Sequence, residues 1–148
     1  MKYYSTNKKA PTATLEEAVI KGLAPDRGLY MPEHIQKLPA TFFNQIEKLS
    51  FQEIAFEVSK AFFGGDIEIE ALRNIVYETL SFDVPAIHIE DNIYSLELFH
   101  GPTLAFKDIG ARFMARLLQY FIRREGQQQI NVLVATSGDT GSAVANGF

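Results

Sequence analysis

The chain has 148 residues, 47% of them hydrophobic, a formal net charge of −4 and a pI of about 5.4. That length corresponds to about one ordinary domain, the apolar fraction supports a packed core, and the mild acidity argues against nucleic acid as an obligatory partner. There is no cysteine, so disulfides, thiolate nucleophiles and cysteine metal sites are excluded.

The opening segment "MKYYSTNKKAPTATLEEA" lacks the apolar core of a secretory signal, and no stretch is long and apolar enough to span a bilayer. The expectation is a soluble, cytoplasmic protein without a membrane partner. "TLEEAVIKG" then predicts a helix with a capping box, Thr14 paired with Glu17, closed by Gly22. "LAPDRGLYMP" predicts a turn-rich loop that carries Leu29, Tyr30 and Met31 inward. "ATFFNQIEKL" predicts a short helix. A second capping box, Ser50 with Glu53, opens "FQEIAFEVSKAFF", which stops at Gly64 and Gly65. "IEALRNIVYETL" places Leu72, Ile75, Val76 and Leu80 on one helical face.

After Pro85 the period changes. "AIHIE" and "IYSLELF" alternate as strands, with Asp91 and Asn92 at the turn of a hairpin. From Lys107 to Glu125 the helical period returns through Ile109, Phe113, Leu117, Tyr120 and Phe121, and Gly126 ends it. "INVLVAT" predicts a strand buried on both faces, and "SGDTGS" leads into another helix. Residues 1–85 therefore read as a mainly helical domain. Residues 86–148 read as hairpin, helix, strand, glycine loop and helix, the opening of an α/β domain with a parallel sheet. The chain stops at "SAVANGF", while a helix is starting, so it reads as part of a longer protein.

Two segments carry chemistry. In "LVATSGDTGSAV", Gly138 and Gly141 allow close backbone approach, a new helix N-terminus faces an anion, and Thr136, Ser137 and Thr140 add hydroxyls. The same residues also suit a plain strand–helix turn with hydroxyl caps. It is not a phosphate-binding P-loop, because no lysine follows the second glycine. The second segment is Lys107, placed after the apolar "LAF" and at a helix start. Most lysines in such a place are solvated. Here the helix dipole disfavours the ammonium, and a lysine drawn into apolar surroundings loses hydration, so its pKa falls. A neutral amine is what Schiff-base chemistry needs. Asp108 suits the dipole and reads as helix stabilisation. His100 reads as a turn residue. His34 and His88 show no metal spacing, and no metal site is expected.

"ELFHGPTLAFKDIGARFMARLL", followed by "VLVATSGDTGSAVA", resembles the threonine synthases, fold-type II pyridoxal-phosphate enzymes of the tryptophan synthase β family. "TLEEAVIKGLAPDRGLYMPEHI" resembles the amino-terminal domain of their bacterial and fungal branch. The resemblance covers nearly the whole chain. It implies a lyase that converts O-phospho-L-homoserine and water to L-threonine and phosphate, the last step of threonine biosynthesis, in a monomer or homodimer. It implies that Lys107 carries pyridoxal 5'-phosphate and then serves as the general base. It places Phe106 and Asp139 on the cofactor, and Thr136, Ser137, Gly138, Thr140 and Gly141 on the substrate. Many relatives have asparagine where this chain has Asp139, and an ionised aspartate cannot donate to the cofactor's phenolic oxygen. The glycine-rich phosphate cup of these enzymes and their partner for the pyridine nitrogen do not occur in this chain. It is therefore expected to be the N-terminal portion, inactive by itself. The alternatives are another fold-type II enzyme, such as a serine or threonine dehydratase, and a non-catalytic anion-binding module.

Overall fold

Both sequence-predicted capping boxes form. In the computed structural model, which describes residues 1–126 and 130–148, Thr14 Oγ1 accepts from the Glu17 amide at 3.2 Å and the Glu17 carboxylate accepts from the Thr14 amide at 2.9 Å. Ser50 and Glu53 repeat the pattern at 3.3 and 2.7 Å. These caps satisfy amides that a helix start otherwise leaves unpaired. They open α1 (Leu15–Lys21) and α3 (Phe51–Phe63). Between them lies α2 (Ala40–Gln45), continued by a 3-10 turn (Ile46–Lys48), and α4 (Ile69–Thr79) follows. Leu72, Ile75, Val76 and Leu80 are all buried, as their spacing predicts.

The fold is mixed α/β. Two compact units part between Tyr77 and Glu78, inside α4. The first contains a sheet that the helical reading of residues 1–85 missed: β1 (Tyr3–Ser5) pairs antiparallel with β2 (Tyr30–Pro32), with Tyr4 opposite Met31. Three-residue strands are too short to display an alternation. The loop before β2 also differs from expectation. Leu29 and Met31 are exposed, whereas Ala24 and Gly28 are buried. The cause is Asp26, which gathers the loop onto β1. Its carboxylate accepts from Ser5 Oγ at 2.6 Å, from the Lys9 amide at 2.9 Å and from the Gly28 amide at 3.0 Å. Gly28 sits so close that a Cβ there would overlap Ser5 Oγ. Tyr3 lies buried at the same edge, and its hydroxyl has no hydrogen-bond partner among the described residues. Burial, with a smaller contribution from Asp66, pushes its pKa up to about 12.

In the second unit the end of α4 is followed by the predicted hairpin, β3 (Ala86–Glu90) and β4 (Ile93–Leu96), turned at Asp91 and Asn92 with Asp91 at φ 45°. The pairing skips Ile89, a bulge. Next comes α5 (Asp108–Glu125), closed by Gly126 in the left-handed conformation. Leu117 and Phe121 are buried along it. α6 (Asp139–Gly147) packs against α5. Ala143 is fully buried, and Gly147 approaches Ala111 so closely that a Cβ would lie 3.2 Å from its carbonyl.

Residues 130–136 depart from expectation: they form no strand, and Ile130, Val132, Leu133 and Val134 are exposed. A strand of a parallel sheet exists only through its neighbours' backbone groups. Neither described sheet takes this segment in: each consists of two antiparallel strands only, β1 with β2 and β3 with β4.

Hydrogen bonds, above all that from Ser5, hold the Asp26 carboxyl below the ordinary aspartate range. A depressed carboxyl contributes stability that is full above its unfolded pKa and is lost as pH falls through the folded one. Asp26→Asn should therefore lower the unfolding midpoint at neutral pH, and the gap to the parent should close on acidification. Thermal melts across the acid range check this; a gap independent of pH would count against it.

Candidate active site

The site grows from the turn between β4 and α5. Leu104 occupies the left-handed region at φ 55°, which a leucine adopts only under constraint. The amide of Leu104 donates to Gly101 O at 3.1 Å and that of Asp108 to Ala105 O at 3.0 Å, two tight turns in succession. They deliver Lys107 as the residue that caps α5, with its carbonyl accepting the first helical bond from the Ala111 amide at 2.9 Å. Lys107 is half-buried. Its ammonium stands 5.3 Å from the centroid of the Phe106 ring, and no carboxylate pairs with it among the described residues.

Lys107 lines an apolar cleft of about 650 Å³, shared with Phe106, Leu98, Met114, Thr140 and Val144. The size lies within the range of small-molecule sites. The cleft thus brings the lysine of α5 together with one residue of the glycine loop, Thr140, across the α5–α6 contact. The remaining loop residues are placed differently. Gly138 carries the strained φ of 140° that only glycine adopts readily, and Asp139 is the first residue of α6, where its charge suits the helix dipole. Ser137 is exposed between them. Thr136 Oγ1 accepts from the Gly141 amide at 2.9 Å and the Gly138 amide at 3.2 Å. Of the roles that the sequence left open, the structure shows the hydroxyl cap, taken by Thr136.

Two features of the site were not anticipated. Asp108, read as a helix-stabilising charge, is fully buried and turns back onto the preceding loop: Thr103 donates to it through its hydroxyl at 2.6 Å and its amide at 2.9 Å. Arg112, one turn later, ties α5 to the end of α4, donating to Glu78 O at 2.7 Å, Ser81 Oγ at 3.0 Å and Thr79 O at 3.2 Å. Burial, helped by the neighbouring Arg116 guanidinium, lowers the Arg112 pKa, while Asp108 and Glu78 oppose that shift. The signal available in the sequence was the i, i+4 spacing of Asp108 and Arg112. His100 Nε2 lies 2.7 Å from Glu97 Oε2, a partly exposed pair outside the cleft lining. Among the described residues no histidine–carboxylate group has the arrangement of a metal site, and no helix is long and apolar enough to cross a membrane.

Residues 2–80 match the family model for the threonine synthase N terminus. The chain belongs to the threonine synthase N-terminus family. Its relatives extend the match to the whole chain. It is 38% identical over 148 residues to threonine synthase of Escherichia coli K12, covering all of this chain and 34% of that protein. It is 41% identical over 165 residues to threonine synthase of Saccharomyces cerevisiae, covering 99% of this chain and 32% of the yeast protein. Among solved structures, a PLP-bound threonine synthase from Brucella melitensis superposes with a TM-score of 0.92 at 37% identity, covering all of this chain and 33% of that one. Threonine synthase from Escherichia coli superposes with a TM-score of 0.88 at 38% identity, again covering all of this chain and 34% of that one. The chain thus spans about a third of the length of the threonine synthases it matches.

If Thr136 is the cap of α6, Thr136→Val should leave the Gly138 and Gly141 amides without a side-chain acceptor and weaken the helix start by about 1 kcal/mol. Amide hydrogen exchange at Gly138 and Gly141 should quicken accordingly; unchanged protection would remove Thr136 from that role.

Proposed function

We propose that this chain is the N-terminal part of a threonine synthase, a pyridoxal-phosphate-dependent lyase that converts O-phospho-L-homoserine and water to L-threonine and phosphate. The observation that carries the reading is Lys107: half-buried, without a carboxylate partner among the described residues, and lining a cleft opposite Thr140. An amine tied up in an ion pair is a poor nucleophile and a poor base, so this placement fits a lysine that bonds to a cofactor aldehyde. The cleft's volume and apolar walls fit a substituted pyridine ring. The name of the Brucella relative, a PLP-bound enzyme, supports the same cofactor.

In this reading Lys107 would hold pyridoxal 5'-phosphate through Nζ, and Phe106 and Asp139 would be the other residues that meet it. When bound, the cofactor supplies the electron sink that makes the substrate Cα–H acidic. The chain's own residues then bind and move protons. Lys107, its amine freed once the substrate's own amine has taken its place, would take the proton from Cα and serve Cβ in turn. Phosphate departs from Cγ, a water molecule adds its hydroxyl at Cβ, and protons are returned to the carbon skeleton, so atoms balance in threonine plus phosphate. The loop Thr136, Ser137, Gly138, Thr140 and Gly141 holds the substrate carboxylate, with Thr140 nearest Lys107.

Lys107→Ala in the complete protein should abolish the visible absorbance of bound pyridoxal phosphate and lower phosphate release from O-phosphohomoserine by about 10³-fold, as expected for loss of a general base. Retained turnover in that variant would sink the assignment of Lys107. Ammonia release from threonine, with no phosphate release from O-phosphohomoserine, would instead make the enzyme a dehydratase.

A further inference from the structure

We propose that Asp108 is a positioning residue, whose buried carboxylate, clamped onto Thr103, sets the backbone from which Lys107 reaches the cleft. The inference rests on the reading of Lys107 as the cofactor lysine and adds a part to it.

A carboxylate in the first turn of a helix ordinarily stays exposed and acts on the dipole or on its own helix's amides. Asp108 keeps the place the dipole favours but turns away from its own helix's amides. It is fully buried, and each of its oxygens has a donor from Thr103, five residues earlier: Oγ1 to Oδ1 at 2.6 Å and the amide to Oδ2 at 2.9 Å. Charge-assisted bonds of this kind are roughly twice as strong as neutral ones. The loop they close contains Lys107 and its strained neighbour Leu104 at φ 55°. A leucine in that conformation persists only when its surroundings over-determine it, and the clamp acts there together with the turn bond from the Leu104 amide to Gly101 O. Gly101 completes the arrangement. A Cβ there would stand 2.5 Å from Asp108 Oδ2 and 2.9 Å from Phe82 Cζ, so the glycine makes room for the carboxylate. Arg112, one turn along α5, attracts the same carboxylate and anchors the helix to residues 78–81. Lys107 therefore has a fixed backbone on both sides: the clamp behind it and the first helical bond, to the Ala111 amide, ahead of it. Releasing the clamp lets the loop relax out of the left-handed turn and swings the amine away from Thr140.

The test uses the complete protein and reads the rate at which added pyridoxal phosphate becomes fixed to Lys107 on borohydride reduction, followed by peptide mass spectrometry, beside kcat and KM for O-phosphohomoserine. Asp108→Asn should slow fixation at Lys107 by about tenfold, a displacement effect well short of losing the amine. Fixation at the surface residues Lys8 and Lys9 should not change, and kcat should fall more than KM rises. Thr103→Val, which removes only the hydroxyl donor, should act in the same direction. Thr103→Ser, which keeps it, should restore the parent rate, a rescue that a general loss of stability does not give. If Asp108→Asn fails to fold, the Thr103 pair carries the test. Parent-like fixation in Asp108→Asn or Thr103→Val, with Lys107→Ala unlabelled at that position, overturns the positioning role and leaves Lys107 as the cofactor lysine. Fixation in the parent that spares Lys107 overturns the cofactor reading and this inference with it.

Discussion

The second unit hangs on a bond pair between Asp108 and Thr103. A charge at the head of α5 is removed from water, which is costly unless each carboxylate oxygen finds a donor. Thr103 meets that condition with its hydroxyl and its amide, at 2.6 and 2.9 Å. The consequence is geometric. With Thr103 fixed to Asp108, the chain between them must close in a short loop, and a left-handed Leu104 is how it closes. Lys107 is the last residue of that loop, so its position is inherited from the clamp rather than from helix propensity.

The other half of the cleft is built by equally local means. Thr136 caps α6 through the Gly141 and Gly138 amides, which fixes where Thr140 emerges. The near-contact of Gly147 with Ala111 then brings α6 against the first turn of α5, the turn that begins at Lys107. Lysine and hydroxyl are thus held across one cleft by two short-range devices and a single helix crossing.

This division explains what could be read from the chain. The capping boxes, the hairpin at Asp91–Asn92, the span of α5 and its glycine stop are decided within a few residues, and each formed where its pattern placed it. The β1–β2 pair was missed because its strands are three residues long and its cause, Asp26 holding Ser5, is a contact across twenty-one positions. Leu29 and Met31 were placed inward on hydrophobicity alone, whereas the Asp26 network selects Gly28 and Ala24 for the interior. The segment 130–136 has the apolar composition of a buried strand, but composition does not supply a neighbour to pair with. Of the site, Lys107 stood out as a charge in apolar company. The clamp behind it did not, because a helix-start aspartate looks the same in sequence whether it faces solvent or a threonine hydroxyl.

The geometry at the head of α6 also sets which donors the glycine loop leaves uncommitted. A bare helix N-terminus would present its backbone amides. Here two of them, Gly138 and Gly141, already donate to Thr136, and the Asp139 carboxylate adds negative charge to the first turn. The dipole is thereby largely answered from within the chain. Among the hydroxyls of this segment, Thr140 is the one in the cleft with Lys107. A hydroxyl rotates to donate or accept, so Thr140 puts a donor in the cleft without placing a second fixed positive charge beside the lysine. That arrangement leaves the Lys107 amine free of a cationic neighbour on α6 and of a bound carboxylate partner on its own helix, because Asp108 is committed to Thr103.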